Sequence, residues 1–231
     1  MKIGILQTGH VPQPLSEKHG DYDDRMRWLL GAEDFTYVTY DIEGGKFPAS
    51  VEAADGWIIT GSKHGAYEDH SWLEPLEIFI RQAIAAERPV IGICFGHQIV
   101  AKAMGGTVEK SAEGWVVGLK TYEMRDGSSF TAYAWHQDQV VTLPPGAEVM
   151  AQSDNCRFAG LSYPGRALTL QSHPEFTGRY FVALLEDKSE FLPPEVRDAA
   201  QSGSSETLDG DFYPIGLLRE FMKKGGRVPS A

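Results

Sequence analysis

Two short stretches of the 231-residue chain carry side chains that together can perform acyl transfer. In VIGICFGHQ, Cys94 stands between Gly92 and Gly96, at the end of an apolar run and directly before a helix-like segment. A strand that ends in G-x-C-x-G and passes at once into a helix forces the cysteine into a tight turn. The turn lifts the thiol out of the sheet, and the glycines let neighbouring backbone approach. The helix N-terminus adds unpaired N–H groups and the positive end of a dipole, which favour thiolate over thiol. The N–H of Phe95 follows immediately, where a carbonyl oxygen would become an oxyanion. For Cys94 alone, a structural cysteine in a helix-packing turn carries similar weight, because buried free cysteines are common.

The second stretch is ALTLQSHPEF. A thiolate that attacks a carbonyl needs an imidazole to hold a proton and return it to the leaving amine. Among seven histidines, His173 follows a strand pattern, Ala167 to Gln171, and precedes Pro174, which fixes the backbone beyond it. Glu175 can turn back to the ring and hold its tautomer, as the acid does in a Ser-His-Asp triad. By itself His173 is a surface histidine in a proline turn; beside a cysteine elbow and an acid it becomes the candidate base. Cys156, in SDNCRF, has no comparable setting and reads as an inert thiol.

Bringing these groups together requires strand ends gathered at one edge of a parallel sheet. The patterns supply them. Lys2 to Gln7, Phe35 to Tyr40, Gly56 to Thr60 and Pro89 to Ile93 read as strands, the last three rich in β-branched or aromatic residues. His19 to Leu30, Glu74 to Glu87 and Gln98 to Met104 have helical apolar spacing, and Gly105-Gly106 stops the last. Alternation of this kind predicts a mainly parallel sheet covered on both faces. Beyond Gly106, Trp115 to Tyr122, Ala147 to Ser153, Phe158 to Ser162 and Ala167 to Gln171 are short strands of a mixed or antiparallel extension. Asp187 to Asp211 is polar, with a proline pair and a Ser/Gly-rich patch, and is expected to be irregular. A final amphipathic helix spans Tyr213 to Lys224. No linker divides the chain, so a single domain over 1–231 is expected.

Bulk properties narrow the class. Hydrophobic residues make up 42% and charged residues 23%, as in a globular protein with a sizeable core. The net charge of −11 argues against a nucleic-acid surface, which concentrates Lys and Arg. Two cysteines are too few for a disulfide framework and fit a reducing cytoplasm. The apolar run before Gln7 is too short for a signal peptide, and none approaches the ~18 residues of a membrane span. There is no phosphate-binding G-x-x-x-x-G-K-[ST] loop, zinc-type Cys/His cluster or calcium loop. The expectation is a hydrolase without metal or cofactor, and without nucleic-acid or membrane partners.

GICFGHQ, QSHPEF and the earlier WIITGSKHG together resemble the class I, triad-type glutamine amidotransferase family, in particular stand-alone domains similar to the glutaminase part of GMP synthase. The resemblance covers roughly 1–185, leaving 186–231 as a C-terminal extension. It implies a flavodoxin-like three-layer α/β/α fold. It also implies that Cys94 attacks the side-chain amide of glutamine, with His173 as base and then acid and Glu175 as its orienter. Ammonia would leave, and water would resolve a γ-glutamyl thioester. By the same resemblance, an N–H near Gly61 or Ser62 joins that of Phe95 in the oxyanion hole, and Gln98 contacts substrate. The segment AYAWHQDQVVTLP borders the pocket with His136 and Asp138. The oxyanion loop reads Gly61-Ser62-Lys63 where the family often has Gly-Gly-Pro. The first reading is glutamine hydrolysis, serving a separate synthetase or acceptor subunit; stand-alone hydrolysis of γ-glutamyl amides is the alternative, and a non-catalytic binding or regulatory module, against which Cys94, His173 and Glu175 weigh, is a further one.

Overall fold

The computed structural model describes residues 1–163, 165–203 and 213–227. Through the first hundred residues, strands and helices alternate as the patterns predict. β1 (Lys2–Gln7), β2 (Thr36–Asp41), β3 (Gly56–Ile59) and β4 (Val90–Ile93) are interleaved with α1 (Leu15–His19), α2 (Tyr22–Leu30), α3 (Leu73–Ala85) and α4 (Phe95–Ala103). Then come β5 (Thr107–Lys110), β6 (Val116–Met124), β7 (Ser129–His136), β8 (Asp138–Thr142), β9 (Glu148–Ser153), β10 (Cys156–Tyr163) and β11 (Ala167–Leu170). α5 (Gly178–Lys188), α6 (Pro194–Gly203) and α7 (Tyr213–Lys223) follow.

The main sheet has nine strands in the order β2-β1-β3-β4-β11-β10-β9-β6-β7. Pairings from β2 to β11 are parallel and those from β11 to β7 antiparallel. The mixed sheet is therefore the expected one, parallel at its centre with an antiparallel wing. Period-two alternation splits its side chains between two faces. Trp57 and Ile59 of β3 point to the layer that holds Phe79, Ile80, Phe95 and Val100 of α3 and α4. Ile58 points the other way, with Ile3 and Ile5, toward Met26, Leu29, Leu218 and Phe221 of α2 and α7. This is the three-layer arrangement. Among the described residues, no helix is long and apolar enough to cross a membrane.

The segment expected to be irregular is corrected in its first part. α5 runs on to Lys188, a single 3-10 turn spans Ser189–Phe191, and Pro194–Gly203 is helical; residues 204–211 lie outside the described residues. Proline is well suited to the first helical position, where its missing N–H costs nothing. The apolar spacing Val196/Ala200 then lets α6 cover Val117 and Leu119 of β6. A polar composition hid this stripe because only one narrow face is buried. β5, β7 and β8 were also not anticipated as strands. β6 and β7 form a hairpin around Asp126-Gly127, where Asp126 Oδ1 accepts from Ser128 N at 2.9 Å and Gly127 has φ +85°. Asp-Gly is a strong hairpin signal.

Two glycines set how closely α4 lies on the sheet. A Cβ at Gly96 would sit 2.4 Å from the carbonyl oxygen of Ile59, and one at Gly92 would sit 2.5 Å from that of Gly96. Gly216, in α7, has open space around the same position. Gly96→Ala is expected to lower stability in urea unfolding by roughly 1–3 kcal/mol, the ordinary cost of overpacking. Gly216→Ala should raise it by about 0.5–1 kcal/mol through helix propensity. Equal stability of Gly96→Ala and the parent would remove the case for close packing.

Candidate active site

Register across three neighbouring strands brings the site together. Ile59 pairs with Gly92 between β3 and β4, and Ile93 pairs with Leu170 between β4 and β11. Continued beyond the strand ends, that register sets Gly61, Cys94 and Gln171 side by side. The N–H of Cys94 donates to the carbonyl of Leu170 at 2.8 Å, extending the ladder by one bond. A Cβ at Gly61 would lie 3.3 Å from His173 Cε1 and 3.9 Å from Cys94 Cβ, so Gly61 faces both.

Cys94 has φ 52° and ψ −104° and no side-chain cap, and α4 begins at Phe95. A non-glycine residue with this backbone is strained, and such strain persists only where surrounding structure imposes it. Here the Leu170 bond on one side and the bond from Gln98 N to the Cys94 carbonyl, 3.1 Å, on the other hold the turn. Cys94 is 6% exposed, and its sulfur is 4.0 Å from the Trp135 carbonyl and 3.7 Å from Gln171 Nε2. Cys156, at 2%, lies in the core, and burial pushes its thiol up to about 12.

His173 Nδ1 lies 2.6 Å from Glu175 Oε1, and both residues are buried. With the carboxylate accepting from Nδ1, the opposite edge of the ring is left for the Cys94 sulfur, which is near enough to raise the ring's pKa. The backbone holds the ring as firmly: His173 N donates to the Tyr133 carbonyl at 2.8 Å, an antiparallel bridge between β7 and the segment after β11. Phe176 stacks on the imidazole at 4.0 Å between centroids, 16° from parallel. Burial alone would favour a neutral ring. The Glu175 carboxylate and the Cys94 sulfur outweigh it and raise the His173 pKa to about 10. The three groups therefore form a line able to carry thiol-to-imidazole proton transfer with an acid fixing the tautomer.

The other predicted residues surround this line. Gly61 is fixed by its carbonyl, which the Thr8 and Thr60 hydroxyls approach at 3.2 and 3.0 Å. Gln98 Nε2 donates to the Asp138 carbonyl at 2.8 Å and to Gln171 Oε1 at 3.2 Å. Gln171 was not singled out from sequence, yet it connects Gln98 to the Cys94 sulfur. Its only signal is a position level with the cysteine on the next strand. Asp138 is partly exposed; burial of its carboxyl raises its pKa, and Tyr67 Oη donates to Oδ1 at 3.1 Å. His136, at the end of β7, is buried, and burial with His173 nearby lowers its pKa to about 3. His97, given no catalytic role from sequence, is fully buried against β11, its Nδ1 2.8 Å from Thr169 Oγ1. In the loop after β3, His64, Glu68 and His70 converge on one another, a grouping the sequence pattern does not disclose.

The family model for glutamine amidotransferase class-I matches residues 37–189. A glutamine amidotransferase-like protein of Schizosaccharomyces pombe is 28% identical, over 94% of this chain and 97% of its own length. Gamma-glutamyl peptidase 2 of Arabidopsis thaliana is 25% identical, over 98% of this chain and 97% of its own. A crystal structure of a glutamine amidotransferase from Methylobacillus flagellatus superposes with TM-score 0.73 at 21% identity, covering 100% of this chain and 97% of that one, and so shares the fold. With a matching domain model across most of its length and that fold beneath the cysteine elbow, the chain belongs to the class-I glutamine amidotransferase family.

Proposed function

We propose that the chain hydrolyses γ-glutamyl amides through a covalent thioester on Cys94. The observation that carries this is the buried line Cys94–His173–Glu175, with the sulfur on a strained turn at the head of α4. The Cys94 sulfur attacks the δ-carbon of the γ-glutamyl group, and the oxygen becomes an oxyanion. The N–H of Phe95, the first of α4, is one donor to it. The second is assigned to Ser62. A trans peptide points its N–H opposite its C=O, and the Gly61 carbonyl is turned toward Thr8 and Thr60. Imidazolium at His173 gives its proton to the leaving nitrogen as the C–N bond breaks. Water then loses a proton to His173 and attacks the thioester, releasing the γ-carboxylate and restoring the thiol.

The substrate class follows from what surrounds the sulfur. Asp138, whose carbonyl accepts from Gln98 and whose carboxylate accepts from Tyr67, is assigned to the α-ammonium of a γ-glutamyl group, and the buried His136 is neutral at ordinary pH. Gln98 is assigned to holding the Asp138 backbone and Gln171, since its amide nitrogen is already committed to both. The leaving amine is ammonia for glutamine and an amino-acid nitrogen for a γ-glutamyl peptide. The family match favours glutamine. The likeness to gamma-glutamyl peptidase 2 runs past residue 189 into the C-terminal extension and favours the peptide amide. We take the peptide amide as the principal substrate, with glutamine hydrolysis for an acceptor subunit as the second reading.

The first test is a panel measuring amine and glutamate release from glutamine and from several γ-glutamyl dipeptides. A preference of at least about tenfold in kcat/KM for a dipeptide is expected, and Cys94→Ala should reduce release by at least about 10³-fold. Turnover by Cys94→Ala at the parental rate would rule out the nucleophile, and a preference for glutamine would move the substrate assignment to the second reading. In a second test, iodoacetamide near pH 8 should alkylate Cys94 ahead of Cys156, of which burial leaves roughly one thiol in 10⁴ ionised. Equal labelling would contradict an activated thiol. The third test concerns pH. The His173 pKa is raised, so its imidazolium survives until the pH passes about 10, and the alkaline limb of kcat/KM should lie there. Glu175→Gln removes the carboxylate that raises this value and should move the limb to lower pH. An unmoved limb would take His173 out of the proton path.

A further inference from the structure

The loop between β3 and α3 carries a group of side chains that hydrolysis does not use. His64, Glu68 and His70 each bring one ligand-type atom to a common point, all within 4.8 Å of one another. Glu68 Oε2 is 3.4 Å from His64 Nδ1 and 2.7 Å from His70 Nε2. Donors bound to a tetrahedral zinc ion at about 2.0–2.1 Å stand about 3.3 Å apart. Of the three edges, one already has that length, a second needs to open by about 0.6 Å from its hydrogen-bonded value, and the third, between the two histidine nitrogens, lies within 4.8 Å and can close as the exposed His70 ring turns.

The rings are also held as ligand rings are. Glu43 Oε1 lies 2.9 Å from His64 Nε2. A carboxylate there accepts a hydrogen bond from Nε2–H and leaves the Nδ1 lone pair facing the other two ligands, as the outer partner of a metal-bound histidine usually does. Lys63 in turn pairs with Glu43 at 3.2 Å. His70 stacks on Trp72, 5.7 Å between centroids and 10° from parallel, and meets His64 edge-on at 4.2 Å. The side chains of Glu68 and His70 are 42% and 31% exposed, which leaves a solvent route and room for a water as fourth ligand.

We propose that His64, Glu68 and His70 bind a divalent transition-metal ion of the zinc class, with Glu43 as the outer carboxylate. Two imidazoles and one carboxylate suit zinc, nickel or copper, and not magnesium or calcium, which prefer all-oxygen sites. On binding, the proton between His70 Nε2 and Glu68 is released to water, and both atoms turn to the ion. The site is separate from the thiol, but its loop also carries Gly61 and Tyr67. Gly61 faces Cys94 and His173, and Tyr67 holds Asp138, so an ion at residues 64–70 ties down the stretch that carries both contacts.

The experiment is calorimetric titration of Zn²⁺ into the full-length Cys94→Ala protein, which removes the thiol as a competing ligand, followed by Co²⁺ titration read by visible absorption. One equivalent of Zn²⁺ should bind, and Co²⁺ should give the intense absorption of a four-coordinate ion. His64→Asn and His70→Gln should each weaken binding by more than about 100-fold, and Glu43→Gln by about 10–100-fold, as loss of an outer partner does. His10→Ala removes a separate histidine–carboxylate cluster with Asp21 and Asp41 and should change nothing. Failure to bind one equivalent, binding that survives His64→Asn and His70→Gln, or binding lost with His10→Ala would each overturn the proposal.

Discussion

The close seating of α4 on β3 and β4 is the constraint on which the rest depends. A helix can begin one residue after a strand only if the junction bends sharply and the helix backbone passes within van der Waals contact of the sheet. Gly92 and Gly96 remove the side chains that would prevent it, with carbonyl oxygens standing where their β-carbons would be. The bend then falls on Cys94, whose positive φ would relax if the helix moved away. The main-chain bond to Leu170 fixes the other side of that bend. Placement of the Cys94 thiol is thus a by-product of backbone packing and needs no dedicated side-chain clamp.

Electrostatics at the site builds on that placement. His173 is buried deeply enough that a lone imidazole would be neutral, yet it is flanked by a carboxylate and a sulfur. Its charge state is therefore set by two neighbours supplied by different parts of the chain. Glu175 is local, reached by a two-residue turn, whereas Cys94 comes from the adjoining parallel strand. Phe176 stacks on the ring face and keeps it in the plane where both neighbours can be met. Removing either neighbour lowers the ring's pKa, because burial works against its charge.

Much of this was legible in the sequence because the relevant signals are local. The glycines around Cys94, the short spacing of His173 and Glu175, and the strand–helix alternation up to Met104 are all properties of a few consecutive residues. What escaped is non-local. Gln171 acquires its place beside the sulfur only from the register of β11 against β4. α6 is a stable helix because β6 covers its narrow apolar stripe, and its own composition conceals this. The strands β5 and β8 pair only with each other in a small separate sheet, so neither has the long apolar run of a central strand. His64, Glu68 and His70 read as polar loop residues because the fold of the loop, and not their spacing alone, turns them toward one another.

The hairpin β6–β7 has a geometric consequence of its own. It reaches the site with main-chain atoms, through the carbonyls of Tyr133 and Trp135, so no side-chain replacement on it can erase these contacts. Their alignment is inherited from the pairing that starts at the Asp126-Gly127 bend, at the opposite tip of the ribbon. The tip therefore acts as a ruler. Inserting or deleting a single residue there would slide the ribbon by one notch, reverse which face each carbonyl's residue presents, and spoil the seat of His173 from afar.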